Sequence, residues 1–156
     1  QLLHEWKRVP GTRDDGTVDG TALDAWVDRT LALAKDAGRF EIALDKIGKV
    51  LASAPADGDG SWPAKAVRNL IERVGRAELD DGFRVQIGNN RGVQSRGISE
   101  GGDRERELAV RYNTLAELAD DSPRTAAALR DVAAGYEAEA RYFDERVERM
   151  QEGLGF

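Results

Sequence analysis

Near the end of the chain, apolar positions recur every three or four residues: Leu129, Val132, Tyr136, Ala140, Phe143, Val147, Met150 and Leu154. That spacing lines one face of a continuous α-helix. Ser122-Pro123 marks its start and Gly153 its end. At 1.5 Å per residue, such a helix is about 50 Å long. Its stripe has to be covered by other helices, in this chain or in a partner.

Shorter stretches repeat the pattern. A short helix is expected over 2–9, ended by Pro10-Gly11. After a loop rich in Asp and Gly, Thr21 is placed as an N-cap, with Asp24 three residues on in a capping-box arrangement. The helix it opens carries Leu23, Trp26, Val27, Thr30, Leu31 and Ala34 on one face and ends near Gly38. The next covers 40–52, with Ile42, Ala43, Ile47, Val50 and Leu51 inward. Ser61 is placed to cap a further helix with Pro63 in its first turn and Val67, Leu70, Ile71 and Val74 as its stripe. Over 78–87 two periods compete. Phe83, Val85 and Ile87 alternate as in a strand, whereas Leu79 and Phe83 fit a helix. A lone strand would have nothing to pair with elsewhere in the chain, so a helix is expected. Residues 103–119 form a clear helical stretch, with Leu108, Tyr112, Leu115, Ala116 and Ala119 facing in. The fold class is therefore all-α: an irregular bundle of about six helices with a long C-terminal helix, in a single domain spanning 1–156.

Composition narrows the chemistry. With 156 residues the chain can bury one core. It has neither a membrane-length apolar run nor a signal-peptide pattern, which points to the cytoplasm and away from membranes. The single methionine is Met150 and the chain opens on Gln1-Leu2-Leu3, so it reads as a piece excised from a longer polypeptide. Its richness in Ala, Gly, Arg and Asp suits a bacterium with GC-rich DNA. Cysteine is absent, which excludes disulfides, thiolate catalysis and Cys-ligated metal centres. Net charge is −6, unevenly spread: eight basic against eleven acidic residues in 1–60, nine against seven in 61–106, and six against eleven in 107–156. Only the middle third leans basic, and too weakly for a nucleic-acid surface.

Candidate sites meet simpler readings. Asp15-Gly16-Thr17-Val18-Asp19 resembles half of a calcium-binding EF-hand loop. Alignment on Gly16, however, puts Gly11, Arg13 and Ala22 where ligand oxygens are required. Asp57-Gly58-Asp59-Gly60 is more simply a turn. One histidine, His4, cannot build a paired-histidine metal site, so no metal and no cofactor is expected. Glu41 with Asp45, Asp80-Asp81 and Asp120-Asp121 could in principle do acid–base work. Surface pairing with Lys46 and Lys49, and placement before a helix N-terminus, explain the first and last pairs without catalysis. Trp6, Trp26 and Trp62 could line one groove, although core packing is the commoner fate of tryptophan.

The most informative stretch is 87–106, with five glycines and four arginines leading into a helix. Glycines admit close approach of backbone N–H groups, helix starts favour anions, and arginines fork onto carboxylate or phosphate. It matches neither the Walker nor the Rossmann pattern. Read as a binding loop, it would use Asn89, Asn90, Arg91, Arg96, Arg104 and Arg106 to hold an anion or nucleotide. Read as a packed connector, its arginines would pair with nearby acids such as Glu100, Asp103 and Glu105. Burial of Arg91 and Arg96 in internal ion pairs is the observation that separates the two.

The combination of Trp6…Val9-Pro10-Gly11, Leu23…Trp26-Val27, Ile47-Gly48…Leu51-Ala52, Gly60-Ser61-Trp62-Pro63, Asn90-Arg91-Gly92-Val93 and Gly101-Gly102…Arg106-Glu107-Leu108-Ala109 resembles an uncharacterised helical C-terminal region of large bacterial proteins. The resemblance covers nearly the whole chain. It implies a domain of a larger polypeptide and brings no activity, cofactor or catalytic residue with it. The expected function is a non-catalytic helical interaction or scaffold module. It would dock onto the remainder of its own polypeptide, another protein or a second copy as a homodimer. The alternative is anion or nucleotide recognition by the 88–106 loop.

Overall fold

The computed structural model describes residues 8–97 and 99–153, and the helix expected over 2–9 lies almost entirely outside them. Six helices follow: α1 (Gly20–Asp36), α2 (Phe40–Leu51), α3 (Lys65–Val74), α4 (Ala77–Asn90), α5 (Asp103–Leu118) and α6 (Pro123–Gly153). The all-α expectation holds, with no strand among the described residues. An isolated bridge between Thr12 and Val18 closes the loop before α1. The ambiguous stretch over 78–87 is helical, with Leu79, Phe83 and Ile87 buried along one face and Val85 exposed.

Two expected caps are corrected. Asp19, not Thr21, caps α1: its carboxylate accepts the Ala22 N–H at 3.1 Å. The Gly11 carbonyl holds the Asp19 N–H at 2.8 Å and fixes the extended backbone a cap requires. Ser61 does not open α3, because its N–H and hydroxyl both go to Asp59 Oδ1, at 2.9 and 2.6 Å. Asp57 caps instead from across the loop, accepting the Lys65 N–H at 2.8 Å.

Two helix pairs form the frame. In the first, α2 crosses α4 with glycine on each side. A Cβ on Gly48 would strike the Leu79 carbonyl oxygen and come within 2.7 Å of Phe83 N; one on Gly82 would strike the Asp45 carbonyl. Leu44 and Leu51, one turn either side of Gly48, are fully buried. Ile42, expected inward, is turned off this face and is 61% exposed. In the second pair, α5 and α6 form a hairpin in which Gly102 lies directly on the Ala140 backbone. Helices α3 and α4 pack on α6, while α1 packs on α2 and α3. One contiguous core takes Leu23, Leu44, Val67, Phe83, Ala116 and Leu129 from the six helices in turn.

Helix α6 is 31 residues long, and its buried residues run from Thr125 to Ala140. Its N-terminus is capped by a neighbour. Glu72 of α3 accepts the N–H groups of Arg124 and Thr125 at 2.9 and 3.1 Å, a carboxylate at the positive end of the helix. Asp121, expected to serve that end, pairs with Lys65 and Arg68 instead. Past Ala140 the stripe is only half covered at Phe143, Val147 and Met150, and Leu154 lies outside the described residues. No described helix is long and apolar enough to cross a membrane.

The glycine crossing gives a paired prediction. Gly48→Ala forces a methyl into the α4 backbone and should destabilise the fold by about 3 kcal/mol in urea denaturation. Gly135→Ala on α6 meets nothing within 4 Å. It should stabilise by about 0.5–1 kcal/mol, because a free helical glycine only adds disorder to the unfolded chain.

Candidate functional site

The 91–102 connector is an ion-pair latch. Glu105 sits in the first turn of α5 with its side chain fully buried. Its Oε1 accepts hydrogen bonds from both Arg91 and Arg96. Arg91 also reaches Glu139 at 3.0 Å and stands over the Tyr136 ring at 5.2 Å; Arg96 lies 3.7 Å above the Phe143 ring and donates to the Gly101 carbonyl. Two guanidiniums on one carboxylate leave excess positive charge, and Glu139 and the two aromatic faces on α6 take it up. Burial pushes the Glu105 carboxyl up, but the two guanidiniums outweigh it and hold the group below the usual glutamate range.

Of the other residues expected in a binding loop, Asn90, Arg104 and Arg106 are also engaged within the molecule. Asn90 donates to the Ala52 carbonyl at 3.3 Å and accepts from Gln86 at 2.9 Å. Arg104 contacts Glu100 and the Ser95 carbonyl. Arg106 bridges Asp103 and Asp144, and Asp144 also accepts the Gly102 N–H at 2.8 Å. Asn89 is exposed in the last turn of α4. Two of the glycines have structural roles: Gly102 presses on α6, and Gly92 turns the chain out of α4 at φ 70°. Arg91 and Arg96 are 19% and 11% exposed. This geometry supports a packed connector better than an anion site. Glu105, named among the acids of the packed-connector reading, is the centre of the latch; its full burial and the stacking of Arg91 and Arg96 on Tyr136 and Phe143 are not signalled by the spacing.

The remaining polar clusters are also paired internally, although Asp80 Oδ1, like Glu105 Oε2 in the latch, is buried without a hydrogen-bond partner. Arg68, 5% exposed, donates to the Pro63 carbonyl, Ser61 and Asp121 and lies 3.5 Å from Asp57. It ties the 52–64 loop and the α5–α6 turn to α3. Asp80 pairs with Arg124 at 2.7 Å, whereas adjacent Asp81 faces Arg84, so the two do not form an acid–base pair. Burial pushes the Asp80 carboxyl up, only partly opposed by Arg124. Asp15 and Asp59 close turns through Thr17 and Ser61. No group of three or more His, Asp or Glu that could hold a metal ion occurs among the described residues.

A different feature remains open. Between α1 and α2 runs an apolar groove of about 250 Å³, walled by Trp26, Thr30, Ala34 and Ala37 on one side and Ile42, Ala43, Ile47 and Val50 on the other. Its only charged lining residues are Arg39 and Lys46. Leu33, 66% exposed, lies three residues beyond Thr30 on α1. Trp62 is elsewhere: it stacks on Phe83 and donates its indole N–H to the Ala54 carbonyl at 2.7 Å. Trp6 lies outside the described residues, so the three tryptophans do not form one observed groove.

No family model matches this chain, and neither the curated proteins nor the solved structures contain a match.

Replacing Glu105 with Ala leaves two largely buried guanidiniums without their carboxylate and should cost on the order of 3 kcal/mol in chemical denaturation. The lowered folded-state pKa fixes the sign of the pH dependence. The stabilisation is complete above the unfolded glutamate value, near 4.3, and disappears as pH falls through the lower folded value. Glu105→Gln should therefore flatten the acid limb of the stability profile. A carboxyl NMR titration should separately place Asp80 above the ordinary aspartate range, with Asp121 and Asp144 below it.

Proposed function

We propose that this chain is a non-catalytic helical interaction module, part of a larger bacterial polypeptide, which binds a protein partner through the α1–α2 groove. The observation that carries the reading is the groove itself: a concave, almost wholly apolar surface with Ile42 exposed at its edge. Exposed apolar surface that is grouped and concave marks a contact site more often than scattered exposed residues do. The arginine-rich loop favours the same conclusion by elimination, because its guanidiniums are committed to Glu105, Glu139, Glu100, Asp103 and Asp144. Of the carboxylates raised as catalytic candidates, Asp45, Asp80, Asp81 and Asp121 face arginine or lysine partners. That arrangement supports binding over chemistry.

Site-specific photocrosslinking tests the reading. A photoreactive residue at position 42, introduced into the protein in its source cells, should give discrete protein adducts. The same residue at Val110, equally exposed on α5, should not. Equal labelling from both positions, or adducts from Val110 alone, would remove the groove as the binding surface.

A further inference from the structure

We infer that the partner of the α1–α2 groove is an acidic amphipathic helix of another protein, with an apolar ridge flanked by carboxylates two turns apart. This inference rests on the interaction-module reading and adds the chemistry of the partner. The argument begins with where cations are paired. All nine lysines and arginines between 61 and 106 have an acidic partner within 4.0 Å. Elsewhere the matching is incomplete: Arg111, Arg130, Arg141 and Arg146 on α5 and α6 have no acidic partner among the described residues, but none of them lines the groove. Arg39 and Lys46 line it, Arg29 and Lys35 lie on α1, and none of the four has an acidic partner among the described residues.

Arg39, the N-cap of α2, and Lys46 are seven residues apart, so their side chains leave the same edge about 10 Å apart. A helix laid alongside α2 presents its own positions i and i+7 at that spacing, and carboxylates there would meet both cations. Its ridge at i, i+3, i+4 and i+7 would fill the strip between Trp26 and Ile42, the helix-in-groove mode of recognition. A lipid surface fits less well, because a flat bilayer does not fill a concave strip.

The test uses the full chain and two synthetic amphipathic peptides with identical leucine ridges, one with glutamates at the flanking i and i+7 positions and one with lysines there. Fluorescence anisotropy should show that the glutamate peptide binds and the lysine peptide binds at least about tenfold more weakly. Ile42→Asp should weaken the glutamate peptide on the order of tenfold, with an unchanged circular dichroism melt. Leu33→Asp serves as the second variant should Ile42→Asp perturb folding. Arg39→Glu with Lys46→Glu should reverse the preference between the peptides.

Equal binding of both peptides, or indifference to Ile42→Asp and Leu33→Asp, would overturn the inference. So would a dimer in light scattering that Ile42→Asp dissolves, since the occupant is then a second copy. Magnetisation transfer between the Trp6 ring and the Ile42 methyls would place the chain's own N-terminal segment there, and vesicle binding lost in Ile42→Asp would make it a membrane surface. Protein adducts from position 42 together with failure of the acidic peptide would leave the module reading standing and remove only this partner.

Discussion

Where α2 crosses α4, the two backbones meet through Gly48 and Gly82 with no side chain between them. Helix axes normally stand 8–10 Å apart because side chains at the contact hold them there. Removing those side chains lets Leu44, Leu51, Leu79 and Phe83 close around the crossing as fully buried neighbours. It also fixes the rotation of α2 about its axis. With Gly48 facing α4, the buried Ile47 and Val50 form the base of the groove, while Ile42 and Ala43 turn towards it. The groove is thus a consequence of the glycine crossing. A helix rotated by a third of a turn would have buried Ile42 and closed it.

The helices were legible because the apolar period of each was long enough to have one solution. Leu23 with Val27, Val67 with Leu70 and Ile71, and the stripe from Leu129 to Ala140 are buried as their spacing implies. What failed was local and depended on partners distant in sequence. Thr21 lost the cap of α1 to Asp19 because a carbonyl eight residues earlier holds Asp19 extended. The cap of α6 comes from Glu72, some fifty residues away, and no neighbouring residue signals it. Ile42 pointed inward on any reading of α2 alone, because helical spacing cannot say which of two apolar flanks another helix will choose. Sequence shows an apolar flank; only packing shows which side is covered.

The 91–102 connector was legible as unusual but not as to purpose. Glycine and arginine in a long loop fit two physical roles equally: backbone and guanidinium donors offered to a ligand, or the same donors used internally. The deciding group was Glu105, an acid that looks like an ordinary first-turn helix residue until the fold buries it. A buried carboxylate shared by two guanidiniums is a poor source of net stability compared with an apolar contact of similar volume. It is, however, directional. Arg91 leaves the end of α4, Arg96 the middle of the loop and Glu105 the start of α5, so one carboxylate fixes three points of an irregular path. Stacking on Tyr136 and Phe143 adds α6 as the fourth. An apolar side chain could not have specified that register.

Charge is matched unevenly along the molecule, and the groove is where this bears most on function. From α3 to the start of α5, acids and bases are matched almost residue for residue, and the slight excess of basic residues read from composition disappears into ion pairs. Along α1 and α2 the match is incomplete. Asp45 holds Lys49 at 2.9 Å, yet Lys46, one residue from Asp45 and on the groove wall, is left to solvent. An apolar strip beside unmatched cations is a disfavoured combination for a surface with no partner: the strip orders water, and Arg39 and Lys46 lack a directly paired counter-charge. Both effects vanish against an apolar ridge bordered by carboxylates. The surface thus has the character of one half of an interface, whereas the cations from α3 to the start of α5 have already found their partners.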